Sequence, residues 1–226
     1  MLSEFKVNEL EIHKYILEPI NSNMYLIVKN KSALIIDPHI CQDAVEFLEQ
    51  KTVEEIWIIL THEHFDHISG VNFFREHWSC TVLCGNHAKE YLTDPLKNLS
   101  AYFKSLLIDK DAETVRIAEE VFDENYSCYA DIGFDGRYGF EWQGLDIQLI
   151  ETPGHSKGSI CILVEEQYVF TGDSLVADNA VITRLPGGSK KEYRLITKPF
   201  LEGLSKDTIV FPGHGKENIL NRFEIT

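Results

Sequence analysis

Residues 61–70 read Thr-His-Glu-His-Phe-Asp-His-Ile-Ser-Gly, and the residues immediately before them read Val-Glu-Glu-Ile-Trp-Ile-Ile-Leu. The β-branched and aromatic residues of that leading run predict a buried strand, so the histidines follow its carboxyl end. Alternate side chains of an extended chain share a face, which allows His62 and His64 to point the same way. A turn after them would bring in Asp66 and His67 from the side. Because Zn²⁺, Fe²⁺ and Mn²⁺ prefer imidazole and carboxylate ligands, the stretch predicts a metal site.

The spacing of these donors differs from that of the helical zinc-protease motif. That motif reads His-Glu-x-x-His and needs a second histidine four residues after the first. Here the residue four positions after His62 is Asp66, so the motif is His-x-His-x-Asp-His. A polar loop with incidental histidines is the alternative. Three of the nine histidines lie within residues 62–67, however, and a solvated loop does not require such a cluster.

The size and composition of the chain limit its architecture and its partners. The 226 residues, 44% of them hydrophobic, suit a single domain over residues 1–226, or a domain with a sizeable insertion. The net charge of -15 would repel a phosphate backbone, so we expect no nucleic-acid partner unless positive charge is locally concentrated. We expect a small-molecule substrate, and the oligomeric state is left open.

The start of the chain and its cysteines indicate the compartment. The first residues lack a basic segment followed by an apolar one, and the apolar runs are too short to span a bilayer. We therefore expect a cytoplasmic protein with no membrane partner. The five cysteines are odd in number and scattered, which predicts reduced thiols.

The segment before the motif predicts a hairpin, a strand and a helix. Residues 11–28 alternate loosely around a polar break, which is typical of a hairpin, and residues 32–37 predict a buried strand. Apolar residues at helical spacing then predict a helix that begins near residue 40. Asp37 ends the buried strand next to Pro38. It either forms the turn or orients a metal-bound histidine, and both interpretations stay open.

The segment after the motif alternates helix and strand and then becomes helical. Helical spacing over residues 71–78 and a strand at 81–84 predict an α/β fold. Residues 95–129 show helical spacings, so we predict a helical insertion there. Its aromatic residues Tyr102 and Phe103 either form a wall of a substrate pocket or pack against the body of the protein.

The second half of the chain is mostly β. The predicted strands cover residues 140–142, 145–150, 159–164, 168–170 and 208–211. A helix over residues 190–204, with a possible break at Pro199, precedes the last of them. Three of these strands end in polar loops with candidate ligands, namely His155, Asp173 and His214. These side chains add to the four donors of residues 61–70.

Four motifs together resemble the metallo-β-lactamase superfamily and, within it, the glyoxalase II-like hydrolases. The matching pieces are Thr-His-x-His-x-Asp-His at 61–67, Thr-Pro-Gly-His at 152–155, Thr-Gly-Asp at 171–173 and Pro-Gly-His-Gly at 212–215. They follow the order of the family and span most of the chain. The resemblance implies an α/β fold, an αββα sandwich of two mixed β-sheets flanked by helices, with the metals at one edge.

The resemblance also implies a binuclear metal centre. It assigns His62, His64 and His155 to one divalent ion and Asp66, His67 and His214 to a second, with Asp173 bridging them. The two ions, zinc before iron or manganese, would share a hydroxide as the nucleophile, which Asp66 would also orient. This is the chemistry of a metal-dependent hydrolase.

The same resemblance implies a thioester or a similar small ester as the substrate. Full-length glyoxalase II enzymes continue after the last histidine with a helical domain that supplies much of the thiol-substrate site, whereas twelve residues follow His214 here. Glutathione specificity is therefore left open. Lys157, Arg184 or Lys190 would meet an anionic end of the substrate, or each is a solvated surface charge.

Other functions remain as alternatives. A persulfide dioxygenase of the same fold would use one iron, held in this chain by His62, His155 and Asp173. Lactonase and phosphodiesterase activities are further possibilities on the same scaffold. A catalytically silent metal-binding module is the non-enzymatic alternative, although structural zinc sites are usually rich in cysteine.

Residues 154–158 also fit the serine-hydrolase pattern Gly-x-Ser-x-Gly. Asp173 and His214 follow Ser156 in the order found in α/β-hydrolases. That interpretation leaves the donors of residues 61–70 unexplained. It also needs a helix after the serine, where the sequence predicts a strand.

Overall fold

Two mixed β-sheets form the framework of the computed structural model, which describes residues 3–7, 10–18, 20–177 and 180–226. Within these residues the first sheet contains, in spatial order, β1 (Ser3–Val7), β2 (Leu10–Leu17), β3 (Ser22–Lys29), β4 (Ser32–Ile36), β5 (Glu55–Ile59), β6 (Ser79–Gly85) and β7 (Ile132–Phe134). Neighbours from β1 to β4 are antiparallel, and neighbours from β4 to β7 are parallel. The predicted buried strand before the histidines is β5.

The second sheet comes from the second half of the chain. It contains β8 (Arg137–Trp142), β9 (Leu145–Glu151), β10 (Ile160–Val164), β11 (Tyr168–Gly172), β12 (Ile209–Pro212) and β13 (Asn218–Ile219), neighbours in chain order. Its pairs are antiparallel except for β11 and β12, which are parallel. Parallel pairing requires a long crossover, and the helical residues between these two strands supply it.

Helices cover the outer faces of the sheets. The α-helices are α1 (Gln42–Gln50), α2 (Phe65–Ile68), α3 (Val71–His77), α4 (Asn86–Tyr91), α5 (Ala112–Val121), α6 (Lys190–Glu192) and α7 (Lys198–Glu202). The 3₁₀ turns are Ser100–Leu107 and Leu220–Arg222. Among the described residues no helix has the length and apolar character needed to cross a membrane.

The core has a central layer between the two sheets and an outer layer on each side. The central cluster joins residues of the first sheet, such as Ile27 and Ile59, to residues of the second, such as Leu149 and Phe170. One outer cluster packs α1, α3 and α4 on the first sheet, and another packs α7 on the second. A strand that is buried on both faces needs apolar residues along most of its length, and β4 and β5 are accordingly near-continuous apolar runs in the sequence. The predicted αββα arrangement of two mixed sheets is confirmed.

The predicted helical insertion contains the 3₁₀ segment Ser100–Leu107 and α5. Tyr102 and Phe103 have different environments, since Phe103 is buried against Phe65 and Phe122, whereas Tyr102 is half exposed. Asp111 caps α5, its carboxylate accepting hydrogen bonds from the backbone N–H groups of the first turn. Whether the chain is one domain with an insertion stays a prediction.

The helix predicted over residues 190–204 is widened, not broken, near Pro199. α6 and α7 are joined by the π-helical turn Tyr193–Thr197, in which the N–H of Lys198 donates to the carbonyl of Tyr193. Pro199 has no N–H, and in a regular α-helix its ring would clash with a carbonyl one turn earlier. The wider turn relieves this conflict and lets the helix continue to Glu202.

Candidate metal centre

The seven predicted donors lie at one edge of the sandwich, where strands of both sheets end. His62 and His64 follow β5, and α2 carries Asp66 and His67. His155, Asp173 and His214 follow β9, β11 and β12 of the second sheet. The structure therefore brings all seven side chains together, although they come from distant parts of the chain.

Three histidines form the first group of donors. The ring centroids of His62, His64 and His155 are 4.6, 4.9 and 4.8 Å apart in pairs. The Nδ1 atom of His64 lies 3.0 Å from the Nε2 atom of His155. Two nitrogens bound to one tetrahedral zinc ion lie roughly 3.3 Å apart, so this spacing is close to that of ligands of one ion.

Asp66, His67 and His214 form the second group. The Nε2 atoms of His67 and His214 each lie 3.3 Å from the Oδ2 atom of Asp66. Asp173 lies between the groups, with its Oδ2 atom 3.4 Å from His155 Nε2 and 3.7 Å from His214 Nε2. Its Oδ1 atom is 3.6 Å from His67 Nε2. One carboxylate thus reaches both groups, as the prediction that it bridges them requires.

Several buried polar atoms face this centre without a hydrogen-bond partner. Among the described residues, these include the Nε2 atoms of His62 and His67 and the Oδ1 atom of Asp173. Buried polar atoms are nearly always paired, because an unpaired one costs free energy. Nitrogen and oxygen donors that converge in this way suit divalent cations, so the residues fit the metal ions that the sequence predicts.

Asp37 orients two of these histidines. Its carboxylate accepts hydrogen bonds from the Nδ1 atom of His67, 2.9 Å away, and from the N–H and hydroxyl groups of Thr61. Since the single hydroxyl hydrogen of Thr61 goes to Asp37, the Nδ1–H of His62 donates to Thr61 Oγ1, 3.0 Å away. Both histidines therefore present Nε2 to the centre.

The two open interpretations of Asp37 turn out to be compatible. Its backbone has φ of 54°, the left-handed conformation that aspartate tolerates in turns, directly before Pro38. The same residue holds the ring of His67. It therefore forms the turn and also positions a donor of the centre.

Burial and the neighbouring charges shift the pKa values of the donors in different directions. Burial, reinforced by the neighbouring histidines, lowers the pKa of His62 well below its usual value. Burial and His155 lower the pKa of His64 to about 3. Burial opposes ionisation of Asp66, but His67 and His214 outweigh it and hold the pKa of that carboxyl well below its usual range. For His67 and His214 the nearby carboxylates outweigh burial and raise the pKa, so these two rings would release a proton when a metal ion binds.

A cavity of about 580 Å³ opens onto the centre and includes five of the donors in its lining: His64, Asp66, His155, Asp173 and His214. The rest of its wall is mostly apolar, with one basic side chain, Lys110. The basic residues proposed from the sequence, Lys157, Arg184 and Lys190, do not line this cavity. They are exposed on surface loops or at the start of α6, and we interpret them as solvated surface charges.

The sequence profile of the Metallo-beta-lactamase superfamily matches residues 17–214, a range that contains every one of these donors. The chain belongs to the metallo-beta-lactamase superfamily. Members of this superfamily bind metal ions. The relatives of this chain support its assignment as a metallo-hydrolase.

Individual relatives are distant in sequence but similar over most of their length. A probable metallo-hydrolase of Bacillus subtilis, YqgX, is 27% identical over 88% of this chain and 87% of its own. A hydroxyacylglutathione hydrolase of Prochlorococcus marinus is 25% identical over 90% of this chain and 70% of its own. Among solved structures, the BLEG-1 B3 metallo-beta-lactamase is 26% identical, with a TM-score of 0.76 over 93% of this chain and 95% of that one.

Glu63 is a buried carboxylate next to the centre, and sequence reasoning missed it. It lies between the first two histidines and is fully buried, and its Oε2 atom accepts a hydrogen bond from Ser156 Oγ, 2.9 Å away. Burial raises the pKa of Glu63 to about 7. Gly158 makes room for this carboxylate, because a Cβ there would lie 2.5 Å from Glu63 Oε2. The signal was available, since a side chain between two donors on an extended stretch points to the opposite face.

The same contacts exclude the serine-hydrolase interpretation. The hydroxyl of Ser156 is fully buried and contacts Glu63 and Ser159, not His214 or Asp173. The strand β10 follows the loop where a nucleophile elbow would need a helix. Ser156 therefore ties the loop of His155 to the His62–His64 stretch instead of attacking a substrate.

The predicted hairpin of β2 and β3 holds the loop of His214, a contact that sequence reasoning missed. The side-chain amide of Asn23 donates to the carbonyls of Pro212 and Gly215, at 2.9 and 3.0 Å, and the hydroxyl of Tyr25 donates to that of Pro212 at 2.7 Å. His214 Nδ1 lies 3.0 Å from the carbonyl oxygen of Asn21 and donates to it. These bonds leave His214 Nε2 directed at the centre.

Proposed function

We propose that this chain hydrolyses a thioester, or a similar small ester, with the help of two divalent metal ions, zinc in the first place. The observation that carries the proposal is the pair of donor groups that share Asp173, together with the unpaired buried atoms that face the space between them. His62, His64 and His155 would hold one ion, and Asp66, His67 and His214 the other. Such ions would supply a polarised carbonyl group and a water molecule whose pKa falls to roughly 7.

Within this proposal the side chains of the centre have distinct tasks. Four of the histidines hold their rings in place through Nδ1 and present Nε2, whereas His64 presents Nδ1. Asp66 stays ionised. Asp66 would accept a hydrogen bond from the attacking water molecule and so orient it towards the carbonyl carbon. The buried position of these groups strengthens their electrostatic effect on the reacting atoms.

The cavity and the charge of the chain favour a small ester over a nucleic acid as the substrate. A mostly apolar wall suits an acyl group, and the net charge of -15 disfavours a nucleic acid. A relative that is named as a hydroxyacylglutathione hydrolase adds support for a thioester. We propose a cytoplasmic enzyme that acts on a small molecule, with neither a nucleic acid nor a membrane as partner.

The first test is elemental analysis of protein purified without added metal or chelator, followed by assays on thioester and lactone panels. We expect about two equivalents of zinc, or of mixed zinc, iron and manganese, per chain, and thioester hydrolysis that is lost on chelation and restored by zinc. Metal-loaded protein that cleaves no thioester or ester would refute the proposal. One equivalent of iron with oxygen uptake on a persulfide would replace it by the dioxygenase alternative.

A further inference from the structure

The cavity next to the metal centre has two chemically different parts. The donors form one end, and an apolar wall formed by Ile20, Phe65, Leu99 and Leu185 extends away from them, with the half-exposed ring of Tyr102. Ile20 lies in the turn between β2 and β3 and Phe65 begins α2, while Leu99 and Leu185 come from the helical insertion and from the loop before α6. A volume of about 580 Å³ is in the usual range for a small-molecule site and exceeds what a short acyl group needs.

Lys110 is the one lysine or arginine among the residues that line this cavity. It is exposed, and within the described parts of the chain its ammonium group has no hydrogen-bond or ion-pair partner in the structure. Other cations nearby are paired, Lys104 with Glu124 at 2.8 Å and Arg116 with Glu113 at 2.7 Å. In a chain with a net charge of -15, an unpaired ammonium at a cavity is a candidate for binding an anion.

The neighbouring hydroxyl group does not compete for this role. Ser105 lines the same cavity, but its hydroxyl hydrogen goes to the carbonyl of Tyr102, 2.7 Å away, so it offers an acceptor and not a donor. At the other end of the cavity Asp66 and Asp173 are themselves anionic ligands. Among these groups Lys110 therefore best accommodates a negatively charged group of the substrate.

We infer that the substrate carries an anionic group, a carboxylate or a phosphate, separated from its scissile ester bond by an apolar segment, and that Lys110 selects it. This inference rests on the proposed thioesterase function. The scissile bond lies at the donors, the apolar segment packs on the wall near Phe65 and Leu99, and the anion meets the ammonium group. The anion belongs either to the acyl arm or to the thiol that leaves.

Three thioesters separate these sources. One joins a hexanoyl group to N-acetylcysteamine and is neutral, the second has a terminal carboxylate on the acyl arm, and the third joins hexanoyl to 3-mercaptopropionate. We expect Lys110→Ala to raise KM about three- to fivefold for one of the two anionic thioesters, as for loss of an exposed ion pair, with kcat little changed. The neutral thioester should stay within twofold, and Lys110→Arg should restore the wild-type KM.

Lys104→Ala is the matched control, since Lys104 lies on the same segment but pairs with Glu124 outside this cavity. It should leave all three substrates unchanged. Binding of a non-hydrolysable thioether analogue of the preferred anionic compound, measured by calorimetry, should weaken in Lys110→Ala and with rising salt.

The possible failures are distinguishable. If the wild-type protein cleaves thioesters and Lys110→Ala leaves both anionic substrates unaffected, or weakens all three equally, the inference about Lys110 is wrong while the proposed function stands. If metal-loaded wild-type protein cleaves none of the three and also fails on the wider ester panel, the proposed function itself is wrong.

Discussion

The two halves of the metal centre are built in different ways. Residues 62–67 provide four donors from one short stretch, and Thr61 and Asp37 of the same sheet hold the rings of His62 and His67. His155, Asp173 and His214 come from three separate loops of the other sheet. Their positions depend on contacts with distant residues, such as the hydrogen bond from His155 Nδ1 to the carbonyl of Ile182. A local motif therefore presents half of the centre, and the packing of the two sheets completes it.

The largest effect is expected at Asp173, which lies between the two donor groups. Asp173→Ala should remove metal and lower thioester turnover more than about a hundredfold, because both donor groups lose a ligand. His62→Ala and His155→Ala should behave alike. Metal content and kcat/KM measure this, with circular dichroism to show that the fold persists. Asp207→Ala, an exposed aspartate before β12, is the control and should match the wild type. Wild-type turnover by metal-free Asp173→Ala protein would exclude this site.

An intermediate effect is expected at Asp37, which holds the ring of His67. Asp37→Asn should weaken zinc binding or turnover about 10- to 100-fold, the usual cost of losing a partner that orients a metal ligand. Asparagine tolerates the left-handed backbone but has one acceptor oxygen for the three donors that Asp37 satisfies. A competition assay with a chelating dye measures the zinc affinity. Asp43→Asn, on the exposed face of α1, should not change it, and an equal loss in both variants would contradict the role of Asp37.

The smallest effect is expected at the hydrogen bond that links the halves. Ser156→Ala removes a donor from the buried carboxylate of Glu63, which should lower the free energy of unfolding by about 1–3 kcal/mol. Turnover should stay within a few-fold, because the hydroxyl does not contact the reacting end of the cavity. Urea titration and steady-state kinetics measure the two quantities. A complete loss of turnover in a folded, metal-loaded variant would revive the serine mechanism.

Much of the fold could be predicted because the apolar runs are short, strong and separated by turn residues. The run before the histidines became β5, and the β-rich second half became the second sheet. Short edge strands such as β7 and β13 were missed, since their few residues carry little periodic signal. The π-helical turn before Pro199 was missed too, because sequence spacing alone does not separate a broken helix from a widened one.

The candidate centre divides in the same way. Donor identity was readable because histidine and aspartate occur at strand ends with fixed spacing. The hydrogen-bond partners of those donors could not be read from the sequence, except that orienting a histidine was one of the two interpretations of Asp37. Glu63 and Tyr25 act on residues far away in the chain, so their roles depend on which strands face each other. Lys110 was overlooked for the same reason, while three basic residues nearer the motifs were named instead.

The sequence by itself determined most of the strands, the identity of the donors and the local geometry of residues 62–67, because these depend on side-chain chemistry and on the twofold repeat of a strand. The two-sheet architecture was implied by the resemblance of its motifs to a known family. Only the tertiary structure decided which nitrogen of His62 and His67 faces the centre, what holds the His155 and His214 loops, and what lines the cavity. Those features arise from contacts between residues that are distant in sequence. They follow from the packing of the sheets and not from any local pattern.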